Sequence, residues 1–150
     1  MGQSFASLHY HIVFSTKNRE PFIDSTLQSR LYEYRGGILR NHNGVLLAAG
    51  GIPDHVHLLV GLHREMAVAE GVKLVKAHSS KWIHDTFPDR KAFAWQTGYG
   101  AFTVSYSNMD QVKRYIAGQE EHHRKRTFKE EFIAFLDRHE IPYDERYVWD

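Results

Sequence analysis

The run Asp54-His55-Val56-His57-Leu58-Leu59-Val60 constrains this chain more than any other stretch. Alternate residues of a β-strand share a face. The pattern predicts a strand that turns His55 and His57 to one side and Val56, Leu58 and Val60 to the other. The apolar side has to be covered by a second layer of structure. The imidazole side has two readings: hydrogen-bonded strand histidines, or two ligands of a divalent metal. Two imidazoles are too few for Mg2+ or Mn2+, which want further oxygen ligands. A third protein ligand should come from elsewhere in the chain.

The absence of cysteine excludes disulfides, thiolate metal sites and thiol nucleophiles. The 150 residues are the size of one domain, 1–150, and the 42% apolar content is that of a globular chain. No apolar run approaches the roughly 18 residues of a membrane span. Met1 to Ser7 lacks the basic start and apolar stretch of a signal peptide, so the expected location is cytoplasmic.

A net charge of +1 says little about partners, but its distribution says more. Arg124, Lys125, Arg126 and Lys129 follow His122 and His123 in one short stretch, Lys17 and Arg19 follow the first strand, and Lys73, Lys76 and Lys81 recur later. A local basic surface on a near-neutral domain fits contact with a short piece of nucleic acid. The other reading is a solvated helix end.

Tyr10, Ile12 and Phe14 alternate with His9, His11 and Val13, predicting a strand over Leu8 to Ser15. Asp24-Ser25 caps a helix carrying Leu27, Leu31, Tyr34 and Ile38, although Gly36-Gly37 weaken its second half. Asn41 to Gly44 is a turn, Val45 to Ala49 a second strand, and Gly50 to Asp54 a hairpin connection into the His-Val-His strand. Val68, Val72, Val75, Ser79 and Trp82 predict a helix over Ala67 to Phe87, interrupted in propensity by Gly71. A fourth strand is expected near Phe102 to Tyr106. Ser107 or Asn108 then caps a helix with Met109, Val112 and Ile116, and a last helix holds Phe132, Phe135 and Leu136. The order is that of an α+β, ferredoxin-like split βαβ sheet: antiparallel, with helices on one face and an extra C-terminal helix. Such a topology alone implies no function.

Tyr115 and Gln119 lie four residues apart and project together from a helix over Gln111 to His123. A half-buried packing tyrosine and a solvated glutamine are the plain alternative. As chemistry, the pair supplies a phenol nucleophile and a neutral oxygen ligand for a metal on the two histidines. Tyr10, Tyr32, Tyr34 and Tyr106 have no amide one helical turn on.

These residues sit in blocks that resemble the single-tyrosine HUH transposases, the enzymes of the smallest insertion sequences and their REP-associated relatives. The blocks are His11 to Arg19, Asp54 to Val60, Lys76 to Ile83, Trp95 to Phe102 and Tyr115 to His123, in that order. The resemblance implies that His55 and His57 bind the metal, Mg2+ or Mn2+, that Gln119 is the third ligand, and that Tyr115 is the nucleophile. It implies attack on single-stranded DNA near hairpins, giving a 5′-phosphotyrosine and a free 3′-hydroxyl. It also implies a homodimer, in which the tyrosine of one subunit can serve the histidines of the other. Lys17, Arg19, His122, His123, Arg124, Lys125 and Arg126 are then candidate DNA contacts, with approach to the metal as the other reading of His122 and His123. Trp95, Tyr99 and Phe102 either stack bases or pack the core, with the core preferred. The alternative from another class is a domesticated, catalytically idle DNA-hairpin-binding protein. RNA binding on the sheet would need exposed aromatics where this chain has histidines.

Overall fold

β1 (His9–Ser15) and β3 (His55–Gly61) pair antiparallel at the centre of a four-stranded sheet, flanked by β2 (Val45–Ile52) and β4 (Gly100–Thr103) in the order β2-β3-β1-β4. The computed structural model describes residues 2–150; Met1, part of the segment read for a signal peptide, lies outside them. Each strand pair is antiparallel, so the sheet has the expected α+β, ferredoxin-like arrangement. Val13 lies opposite His57 and Ser15 opposite His55, so one face carries His11, Val13, Ser15, His55 and His57.

The other face, with Ile12, Phe14, Val56, Leu58 and Val60, is covered by α1 (Ser25–Asn41) and α2 (Val68–Thr86). The carboxylate of Asp24 caps α1 by accepting the Leu27 N–H at 2.9 Å. α1 continues through Gly36-Gly37 to Asn41, because burying Leu31, Ile38 and Leu39 outweighs a cost of about 1 kcal/mol per glycine. α2 likewise runs through Gly71. Tyr34 and Trp82 stack between the two helices at 4.9 Å.

The one-face expectation describes α1 and α2. α3 (Met109–Ala117), α4 (Gln119–His122) and α5 (Phe128–Arg138), the extra C-terminal helix among them, add a second layer. Val13 and Phe102 of the sheet meet Phe128, Phe132, Phe135 and Leu136 of α5 in a second core. β4 stops at Thr103 rather than reaching Tyr106, because β1 begins at His9, whose carbonyl takes the last bond, from the Val104 N–H at 3.0 Å. The single helix expected over Gln111 to His123 breaks at Gly118, whose N–H is shared between the carbonyls of Arg114 (3.1 Å) and Tyr115 (3.2 Å). Among the described residues, no helix is long and apolar enough to cross a membrane.

One edge of the sheet is held by a chain of polar contacts. The Lys76 ammonium on α2 donates to the carbonyls of Gln96, Thr97 and Gly98 at 2.8, 3.1 and 2.6 Å. Gln96 Oε1 accepts the Ser15 N–H of β1 at 2.9 Å. The Gln96 side-chain amide and the Gly98 N–H donate to the Asp150 carbonyl at 3.2 and 2.8 Å. Arg19 donates to the Trp149 carbonyl at 2.8 Å, and the Trp149 ring packs near Phe128 and Phe132.

Gly50 of β2 sets the spacing between α3 and the sheet. A Cβ there would lie 2.4 Å from the Ile116 carbonyl oxygen, a backbone atom of the helix that carries Tyr115. Gly50→Ala is expected to push α3 outward and to cost about 1–3 kcal/mol. A urea titration with amide exchange of α3 checks it; unchanged stability and exchange would show that α3 has slack.

Candidate active site

β3 turns His55 and His57 under the second helical layer, where both are fully buried. Three further groups descend on them: Gln119 from the start of α4, His123 from just beyond its end, and Glu131 from α5. The Glu131 carboxylate is fully buried at the centre. Its Oε1 lies 3.0 Å from His57 Nε2, 3.2 Å from His123 Nε2 and 3.5 Å from His55 Nε2. Its Oε2 accepts the Tyr115 hydroxyl and, at 3.2 Å, the Gln119 side-chain amide. Gln119 Oε1 lies 3.0 Å from the Nε2 atoms of both His55 and His123.

The outward nitrogen of each ring is also tied down. His55 Nδ1 meets Asp54 Oδ1 at 2.7 Å, His57 Nδ1 meets His11 Nε2 at 2.7 Å, and His123 Nδ1 donates to the Arg126 carbonyl at 2.9 Å. Such partners fix ring orientation and leave the three Nε2 atoms converging. One donor atom from each of His55, His57, His123 and Glu131 falls within 4.8 Å of the others. This cluster has the spacing and donor chemistry to hold a metal ion.

The charge states follow from burial and from Glu131. Burial, then the neighbouring His57, lowers His11 to about 3. Burial lowers His57 to about 4 against the pull of Glu131, leaving it neutral at pH 7. For His123 burial is outweighed by Glu131, and its pKa is raised. Burial would raise Glu131, but hydrogen bonds from His123, His57 and Tyr115 carry it well below the carboxylate range. The Tyr115 phenol is pushed up to about 12 by burial and by Glu131, with Arg126 and Gln119 pulling the other way.

The expected residues divide into those the fold brings together and those it does not. His55, His57, Tyr115 and Gln119 meet in one chain. Of the two places open to His123, beside the metal ligands or against DNA phosphate, it takes the first and joins the buried cluster, its side chain only 3% exposed. His122 is exposed and stacks on the Tyr115 ring at 4.7 Å. Arg124 and Lys125 are exposed, and Arg124 pairs with Glu121 at 3.0 Å. Lys17 is exposed beyond β1, whereas Arg19 is committed to Trp149. Phe102 is buried and Trp95 packs against the core, while Tyr99 is part-exposed over Lys76.

Glu131 was not anticipated from sequence. It was visible, however, as an acidic residue inside the 128–131–132–135 stripe that buries α5. His11 and Asp54 were likewise read only as strand and motif positions.

The family model for IS200-like transposases matches residues 4–119. The chain belongs to the IS200-like transposase family. The ISDra2 transposase TnpA of Deinococcus radiodurans is 26% identical over 117 residues, covering 75% of this chain and 84% of its own. The IS200 transposase of Salmonella typhimurium is 29% identical over 119 residues, covering 73% and 75%. A crystal structure described as a transposase from Deinococcus radiodurans superposes with a TM-score of 0.65 at 27% identity, covering 79% of this chain and 96% of that one. A REP-associated tyrosine transposase bound to a REP hairpin shares the fold, with a TM-score of 0.60 at 14% identity over 82% and 73% of the two chains. Membership in this transposase family implies enzymatic cleavage of DNA. His123 and Glu131 lie beyond the matched residues.

The pKa shifts fix a sign for acid stability. His11 and His57 are held below their ordinary 6.5, so their contribution is full above that value and is lost as pH falls toward 4 and 3. His123, raised, contributes in the opposite sense, and its contribution is complete below about pH 5.5. The metal-free protein should therefore lose a few kcal/mol between about pH 5.5 and pH 4. Thermal melts across that window test this; a flat midpoint would contradict neutral, buried imidazoles.

Proposed function

We propose that this transposase is a metal-dependent single-stranded DNA endonuclease and strand transferase acting at hairpin-bearing DNA, with Tyr115 as nucleophile. The observation that carries the reading is the hydrogen bond that places the Tyr115 hydroxyl on the carboxylate shared by His55, His57 and His123. A nucleophile beside a candidate metal centre is the arrangement phosphodiester transfer requires.

When bound, a divalent cation would polarise the scissile phosphate and stabilise charge on the departing oxygen. Mg2+ or Mn2+ is the expected ion. His55, His57, Gln119, His123 and Glu131 would hold it. Tyr115 Oη attacks phosphorus, forming the tyrosine–phosphate ester as the bond to the 3′ oxygen breaks. The proton given up by the phenol is matched by one taken up by the leaving 3′-hydroxyl. Attack of a 3′-hydroxyl on the phosphotyrosine reverses the step and joins a new strand, so no nucleotide cofactor is consumed. Arg126, close enough to the phenol to oppose its rise in pKa, suits the incoming phosphate. The exposed Arg124, Lys125 and Lys17 would contact the flanking backbone.

Tyr115 meets the histidines of its own chain, which supports cleavage in cis. Exchange of two ends calls for two nucleophiles and hence a homodimer. The relative solved with a REP hairpin supports a hairpin as the bound element.

Labelled hairpin-bearing single strands with Mn2+ should give a denaturant-stable protein–DNA adduct. Tyr115→Phe should abolish it while retaining gel-shift binding, and His57→Ala should reduce it by about 10³-fold or more. An adduct that survives Tyr115→Phe overturns the assignment. Replacing Arg124 and Lys125 with alanine should weaken binding and flatten the log-affinity against log-salt slope by about 0.7 per lost phosphate contact. An unchanged slope would place the DNA elsewhere.

A further inference from the structure

Glu131 touches every group in the site, yet it lies outside the residues matched by the family model and in a helix whose apparent task is packing. Its two oxygens are divided by direction. Oε1 faces the Nε2 atoms of His57, His123 and His55 at 3.0, 3.2 and 3.5 Å, and Oε2 faces the Tyr115 hydroxyl and the Gln119 amide. We propose that Glu131 is a bridging residue: Oε1 is a direct ligand of the divalent cation while Oε2 holds the Tyr115 phenol. Metal occupancy and the pose of the nucleophile are thereby coupled through one side chain. The proposal rests on the metal centre and on Tyr115 as read above, and deepens both.

The packing of α5 makes the bridge stiff. Phe128, Phe132, Phe135 and Leu136 are buried on both sides of Glu131 along the helix, and Thr127 closes a capping box with Glu130 at its start. The side chain is therefore not free to swing into solvent when a cation arrives. A carboxylate whose polar partners are fixed can bind a cation through the oxygen that faces the imidazoles without releasing the other. The chemistry is also selective. Three imidazoles and one carboxylate suit Co2+ or Zn2+ better than Mg2+, which prefers oxygen ligands and retained water.

The test uses metals as probes and needs no DNA. Co2+ titrated into the full chain should give a visible ligand-field band, and Glu131→Gln, which keeps the shape of the side chain, should weaken Co2+ binding at least about tenfold. Equal Co2+ affinity and an unchanged band in a folded Glu131→Gln protein would overturn direct ligation. The coupling is read separately. With fluorotyrosine in place of the eight tyrosines, the Tyr115 resonance, assigned by its loss in Tyr115→Phe, should shift when diamagnetic Zn2+ binds. A Tyr115 signal insensitive to saturating Zn2+ would overturn the bridge. This measurement keeps Glu131 in place, so it decides the matter even if Glu131→Gln does not fold. The reverse coupling should appear as a changed Co2+ band in Tyr115→Phe, and an identical band would count against it. Failure of these metal measurements leaves Tyr115 free to be the nucleophile, while absence of a DNA adduct leaves the metal bridge standing.

Discussion

A carboxylate buried without solvent among three imidazoles, an amide and a phenol is the contact on which the second half of this molecule depends. Removing an ionised carboxylate from water costs several kcal/mol unless its oxygens are satisfied. Glu131 is satisfied by groups from β3, α3, α4 and the segment after α4, so the helical layer over the site is held by polar as well as apolar contacts. The aromatic core of α5 brings the carboxylate to its place, and the histidines make that place tolerable. Neither works alone. Truncating either partner of such a buried pair leaves the other uncompensated.

This dependence explains why the site is assembled from strand and helix rather than from loops. β3 is the most enclosed strand of the sheet, with every residue buried. Its two histidines are set by the pleat, and their second nitrogens are fixed by Asp54, His11 and, for the neighbouring His123, the Arg126 carbonyl. The glycine at position 50 then lets α3 approach closely enough for its tyrosine to reach the same point. Distances in the site are therefore inherited from the architecture.

The sheet was largely legible from sequence because a period of two leaves little choice: alternation in Leu8–Ser15 and in Asp54–Val60 assigned both faces of both central strands. The tyrosine–glutamine pair was legible as spacing, although the helix that was to carry it breaks at Gly118. A break there preserves the pairing because the Gly118 N–H still bonds back to the preceding turn. The second layer was less legible. Helix packing on the histidine face depends on long-range contacts of α5 with Val13 and Phe102, which no local pattern encodes. Glu131 went unread for the same reason, since a charged residue in an apolar stripe has meaning only once its partners across the sheet are known. His123 stayed open between the metal and phosphate because sequence proximity to Arg124 and Lys125 says nothing about which way a ring turns.

The Lys76 clamp carries a consequence for how the two faces of the sheet are linked. α2 and the histidine cluster lie on opposite sides, separated by the buried strands. Yet the three carbonyls gripped by Lys76 belong to the loop whose glutamine holds the end of β1 and whose backbone anchors the chain near Trp149. Trp149 in turn rests by Phe128, whose ring lies 4.8 Å from that of His55. A strain applied to α2 thus has a continuous path around the rim of the sheet to the imidazoles, made of hydrogen bonds and ring contacts rather than of the sheet itself.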